Sequence, residues 1–320
     1  MKDVVTGIDI GGTNSVFGVV DKTGNILAEG TVPTAQFENA DDFLEEMSVK
    51  IKGELVKLKG KCRLKGIGVG APNGNYYKGT IEFAPNLPWK GVLSPAQNFR
   101  KFFDLPVALT NDANAAAIGE MLYGGAKGMK DFIVITLGTG LGSGIVVNGE
   151  VVYGHDGFAG EIGHTIVEPD GRTCGCGRKG CLETYASAGG LVRTANELLA
   201  SFSAPSRLRE INRKNVSSRD IAEAARKGDK IALKAFDITA KILGRRLADS
   251  VAYTGPEAIF LFGGLAKSGG LILEPTKRYM DEYLLKIYKG KVRLLISELI
   301  EKNAAVLGSA ALAWKELGAL

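Results

Sequence analysis

An α/β protein of two similar halves with mixed sheets is predicted by three features of this 320-residue sequence. Two stretches open alike, each reading strand, glycine turn, strand, tight turn, strand. Helical patterns follow each stretch, and a further strand lies between helices in the second half. The opening strands form hairpins, so each sheet must mix antiparallel and parallel pairs.

The first stretch starts with the apolar run Val4 to Ile10, which ends in Asp9-Ile10-Gly11-Gly12-Thr13-Asn14. Val16 to Val20, a Gly24-Asn25 turn and Ile26 to Val32 follow. The second starts with Phe132 to Leu137 and continues into Gly138-Thr139-Gly140-Leu141-Gly142-Ser143-Gly144. It goes on through Ile145 to Val147, an Asn148-Gly149 turn and Val151 to Tyr153, an internal duplication of the opening. Leu44, Met47, Ile51, Leu55 and Leu58 recur at helical steps and predict a helix from about 41 to 59. Ala113 to Tyr123 reads as a helix closed by Gly124. Further helices are expected near 188–201, 218–227, 229–253, 269–288 and 303–318, with a strand at Ala258 to Phe262.

Composition bounds the function classes. Hydrophobic residues make up 45% and charged residues 23%, an ordinary balance for a globular protein, and the length suits about two domains. The formal charge of +5 is mildly basic. Its densest run, Lys57, Lys59, Lys61, Arg63 and Lys65, lacks aromatic interleaving and reads as a solvated face, so no nucleic-acid partner is expected. No stretch approaches the roughly 20 apolar residues of a membrane span, and no leader pattern precedes Val4. A cytoplasmic protein with reduced cysteines is expected. Three of its four cysteines crowd into Cys174 to Cys181, while Cys62 stands apart as an expected core thiol.

The glycine turns suggest phosphate binding. In Gly11-Gly12-Thr13-Asn14, backbone N–H groups can approach a polyphosphate, and an acidic residue such as Asp9 can hold hydrated Mg²⁺ there. An ordinary hairpin would carry similar glycines. Gly138, Thr139 and Gly140 open the second turn, where alternate glycines call for close backbone approach. Gly263-Gly264, after the strand, offers room for an adenine or ribose. No Walker A sequence, dinucleotide fingerprint or protein-kinase element occurs.

Paired phosphate loops on duplicated halves resemble the actin, Hsp70 and sugar-kinase superfamily. The stretch from Leu137 to Ile145, with Gly154, Gly160, Glu161, Gly163 and His164, resembles the ROK family signature. The segment Cys174-Gly175-Cys176-Gly177-Arg178-Lys179-Gly180-Cys181-Leu182-Glu183 is similar to that family's zinc-binding segment. The resemblance runs over essentially the whole chain. It implies two ribonuclease-H-like (actin-like ATPase) domains around an interdomain cleft. The first would be 1–112, completed by the closing helix and tail 303–320, and the second 113–302. It also implies an ATP-dependent sugar kinase, glucokinase-like, that is a homo-oligomer, either dimer or tetramer.

Residue roles follow from the same resemblance. His164, Cys174, Cys176 and Cys181 form a Cys₃His set suited to structural Zn²⁺, against a redox pair or buried thiols as alternatives. Asp112, in Leu109-Thr110-Asn111-Asp112-Ala113, becomes the general base, although an Asp at a helix start is by itself an ordinary N-cap. Asn86, Asn111, Glu161, His164 and Glu183 are implied sugar contacts alongside Asp112. Glucose, converted to glucose 6-phosphate, is the expected substrate, with mannose, fructose, N-acetylglucosamine and N-acetylmannosamine as alternatives. A ROK repressor would carry a helix-turn-helix ahead of the core, and the strand starting at Val4 favours the enzyme over that alternative.

Overall fold

The computed structural model describes residues 1–58, 60–300 and 303–318. Lys59, the expected last residue of the first helix and part of the basic run, lies outside the described residues, as do 301–302 and 319–320 of the expected domain boundary and tail. The chain divides into two compact units.

The first unit holds Met1–Met129, Val151–Gly160 and the closing helix. Strands β1 (Lys2–Asp9), β2 (Ser15–Asp21) and β3 (Ile26–Val32) form an antiparallel meander. Helix α1 (Ala40–Lys57) leads to β4 (Cys62–Ala71), which pairs parallel with β1. A small sheet of β5 (Gly74–Asn75), β6 (Thr80–Glu82) and β7 (Val92–Leu93) intervenes, followed by α2 (Pro95–Phe103). Strand β8 (Val107–Asn111) then pairs parallel with β4 and feeds α3 (Asp112–Tyr123). The last helix, α9 (Ala304–Glu316), returns to pack on β1, β4 and α3.

Burial explains this layering. Ile8, Phe17, Val32, Met47, Ile51, Ile67, Val69 and Leu109 form one apolar layer between the sheet and α1. On the opposite face α9 comes within backbone contact of the strands. A Cβ on Gly7 would stand 2.2 Å from the Val306 carbonyl oxygen, and one on Gly68 1.8 Å from that of Ser309. Because α3 also packs on α9, it belongs to the first unit, and the break falls at 129 rather than at the expected 112. Cys62 opens β4 half-buried, outside the core that the sequence suggested for it.

The β2–β3 turn is held by Asp21, fully shielded from solvent. Its carboxylate accepts from Thr23 and Asn25 and pairs with the Lys2 ammonium at 2.5 Å. Burial alone would raise this carboxyl; the Lys2 ammonium, then Asn25 and Thr23, outweigh that and hold it well below the usual carboxylate range. A depressed folded-state pKa stabilises above the unfolded value, about 3.9, and that contribution is lost as pH falls through the folded value. Asp21→Ala is therefore expected to cost about 2–4 kcal/mol at neutral pH in urea melts. The gap to wild type should shrink below pH about 4; an undiminished gap there would contradict this reading.

The second unit holds Lys130–Glu150 and Glu161–Ile300. It repeats the plan with β9 (Phe132–Leu137), β10 (Leu141–Val147), β11 (Glu150–Val151, whose second residue opens the segment counted with the first unit), β12 (Ala258–Phe262) and β13 (Arg293–Ile296). The sheet orders β3-β2-β1-β4-β8 and β11-β10-β9-β12-β13 match position by position, with two parallel strands added beside each leading strand. Between the hairpin and β12 stand α4 (Glu183–Ala186), α5 (Ala188–Ser201), α6 (Ser218–Arg226) and α7 (Lys230–Thr254). Helix α8 (Gly270–Tyr283) ends before the expected 288, because Leu284 turns extended. A separate 3₁₀ turn at Lys286–Tyr288 follows.

Candidate active site

In the first unit, parallel pairing brings the carboxyl ends of β1, β4 and β8 to one sheet edge, the usual ligand edge of parallel strands. Asp9 pairs in register with Gly70 and Gly70 with Thr110, so Asp112 stands two residues past the row that Asp9 ends. Burial, and then the nearby Asp112 charge, push the Asp9 carboxyl up to about 7. Burial also raises Asp112, opposed by the Ala113 amide, while its side chain keeps access to water, which moderates the rise. The helix cap falls to Asn111, whose Oδ1 accepts from the Ala113 N–H at 2.8 Å, and not to Asp112. Asp112 occupies the first helical position and also accepts from that N–H, which fixes its carboxylate.

Residues Gly11 to Asn14 follow β1 after the buried Ile10. Thr13 and Asn14 are exposed, as a loop offering donors should be. Gly12 is required by protein, since a Cβ there would lie 2.0 Å from the Asn86 carbonyl oxygen. That contact seats the Pro85-Asn86-Leu87 turn against the loop. Ala84, Leu87 and Trp89 anchor the turn in the core, and the Trp89 indole donates to the Phe37 carbonyl at 3.0 Å. Asn86 itself is left exposed.

In the second unit, Gly138-Thr139-Gly140 and Gly263-Gly264 meet at one edge, because β9 and β12 run parallel and Leu265 N–H donates to the Leu137 carbonyl at 3.0 Å. Gly138 and Gly264 face open space, whereas a Cβ on Gly140 would stand 2.6 Å from Glu183 Oε2. Gly140 thus makes room for the Glu183 carboxylate, a reason for glycine that the sequence did not disclose. Glu183 begins α4, and its Oε1 lies 3.8 Å from His164 Nδ1. Glu161 Oε2 lies 4.0 Å from His164 Nε2.

His164, Cys174, Cys176 and Cys181 converge, with one ligand atom from each lying within 4.8 Å of the others. Cys176 and Cys181 sulfurs are 3.7 Å apart, as are Cys174 Sγ and His164 Nδ1. A tetrahedron with zinc–sulfur bonds of about 2.3 Å has edges of about 3.7 Å, so the donor set fits zinc in kind and in spacing. A glycine-rich knuckle makes this possible: Cys174 N–H donates to the Arg178 carbonyl, and Gly177 N–H to that of Cys174. Arg178 also donates to the His164 carbonyl, a tie not foreseen from sequence.

The ROK family model matches residues 5–316. This chain belongs to the ROK family. The ROK chain is 36% identical over 314 residues to a glucokinase of Streptomyces coelicolor, covering 96% of each. A ROK glucokinase from Streptomyces griseus, solved with glucose and AMPPNP, shares 34% identity at a TM-score of 0.82. That match covers 98% of this ROK chain and 99% of the other. ROK relatives also include the xylose repressor of Caldicellulosiruptor bescii, 32% identical over 252 residues, covering 77% of this chain and 62% of the repressor. The mixed α/β architecture is the actin-like ATPase fold of ROK sugar kinases. No helix among the described residues is long and apolar enough to cross a membrane.

Proposed function

We propose that this chain is an ATP-dependent hexose kinase that converts glucose to glucose 6-phosphate, with Asp112 as general base. The observation that carries the reading is Asp112 just past the end of β8, at the same sheet edge as Asp9 and near enough for its charge to act on the Asp9 carboxyl. Its carboxylate would take the proton of the sugar hydroxyl as that oxygen bonds to the γ-phosphorus and the bond to ADP breaks. Such transfer rewards alignment and charge neutralisation above all, and the base adds about 10²–10⁴-fold.

The loops Gly11 to Asn14 and Gly138 to Gly140, with Gly263 and Gly264, hold the nucleotide in this reading. Asp9 would carry hydrated Mg²⁺, which supplies positive charge at the phosphates. A carboxyl raised by burial and by the Asp112 charge suits a cation nearby. Asn86, Asn111, Glu161, His164 and Glu183 bond the sugar hydroxyls. With His164 Nδ1 turned to the thiols, Nε2 is left for a hydroxyl. Zinc in the Cys₃His set, bound by four protein ligands, is structural. A cytoplasmic location, where these thiols stay reduced, and a homo-oligomeric state belong to the same reading.

Glucose is expected to turn over fastest in an ADP-release assay against glucose, mannose, fructose, N-acetylglucosamine and N-acetylmannosamine. A site built to bond each hydroxyl rejects an analogue lacking one by up to about 10⁴–10⁵-fold. Faster turnover with another sugar would overturn the substrate assignment. Sugar binding without ADP release would favour the second reading, a sugar-responsive regulator akin to the xylose repressors.

A further inference from the structure

We infer that Arg172 is a positioning residue that sets Glu183 for the sugar. The inference rests on the proposed role of Glu183. Arg172 lies two residues before the first cysteine of the metal segment, yet its side chain is spent on the helices that follow the segment. Nε and Nη2 grip Glu197 bidentately at 3.0 and 2.5 Å. Nη1 donates to the carbonyls of Thr184 and Gly190 at 2.7 and 3.2 Å, and Nη2 to Thr194 Oγ1 at 2.9 Å. All five N–H donors of the guanidinium are thereby used. The plane stacks on the Tyr185 ring at 4.4 Å, and the Tyr185 hydroxyl accepts from the Arg172 backbone N–H at 2.9 Å. Gly180, inside the metal segment, donates its N–H to the Arg172 carbonyl.

Helix α4 needs such a brace. It is a single turn of four residues, its cap Leu182 supplies no side-chain bond, and one turn is not stable alone. Glu183 is its first residue, and Thr184 and Tyr185, the next two, are the ones Arg172 holds. The side chain of Arg172 is only 10% exposed, so its bonds are little weakened by water. Rotating α4 would carry the Glu183 carboxylate away from Gly140 and His164. Lysine cannot replace this fork, having three donors on a point charge.

The test compares Arg172→Lys, Glu197→Gln and Glu183→Gln in the full chain by sugar KM, kcat, ATP KM and zinc content. Arg172→Lys should raise the sugar KM about 10–100-fold, with kcat and ATP KM within about 3-fold and zinc retained. Glu197→Gln, which changes a half-exposed partner, should raise it about 3–10-fold, and it serves if Arg172→Lys does not fold. If Glu183→Gln raises the sugar KM while both brace variants leave it unchanged, the inference fails and the reading of Glu183 stands. If Glu183→Gln leaves the sugar KM unchanged, the reading itself fails. Loss of zinc together with a uniform fall in kcat in the brace variants would mean a scaffold role and would also overturn the inference.

Discussion

Asp112→Asn is expected to lower the phosphorylation rate by about 10²-fold or more while sugar affinity stays within an order of magnitude. The substitution is nearly isosteric, and Asn can still accept the Ala113 N–H that fixes the present carboxylate. The cap of α3 is supplied by Asn111, so the helix start does not depend on the charge at 112. What is lost is a group that can take a proton. Stopped-flow or steady-state ADP release at saturating sugar measures the change directly. Turnover close to wild type would remove Asp112 from the role of base and leave it as a helix-start residue.

The zinc centre should give the second large effect. Elemental analysis of purified protein is expected to give about one zinc per chain, and Cys176→Ser should lose metal and sugar binding together. Cys176 is exposed, so replacing sulfur by oxygen there removes little packing. The loss would instead come from the metal, whose binding in small structural sites is worth on the order of 10 kcal/mol. Glu183 follows the last cysteine by two residues, and its carboxylate contacts Cys174 Sγ at 2.8 Å, so a loosened knuckle moves it. Titration calorimetry with glucose reads the sugar side independently of turnover. A zinc-free preparation with unaltered activity would sink the assignment.

The parts of this molecule that chemistry marks in sequence were legible. The Cys₃His set was implied by the resemblance to the ROK zinc segment, and its four side chains do converge; the duplicated opening could be read from its two hairpin turns. Strand β4 was not, because Gly66, Gly68 and Gly70 break its apolar run; the latter two face α9, with Cβ positions within 3 Å of Ser309. Helix α2 is nine residues long and opens with Pro95, too brief a pattern to stand out. Two glycines read as phosphate contacts have a further reason to be glycine that lies in protein neighbours, Asn86 for Gly12 and Glu183 for Gly140. Arg172 left no signal at all, since its partners lie 12 to 25 residues away and are ordinary backbone carbonyls, a threonine and a glutamate.

Helix α9 has a consequence for how the chain is born. Strands β1 and β4 leave the ribosome early, but the surface carrying Gly7 and Gly68 fits only the backbone of α9. About 175 residues separate Met129 from Ala304, and at roughly 5–20 residues per second their synthesis takes about 9–35 s. For that interval the first unit waits with one sheet face uncovered, while the second unit is being made; its last strand, β13, ends eight residues before α9 begins. The half made first is therefore completed last.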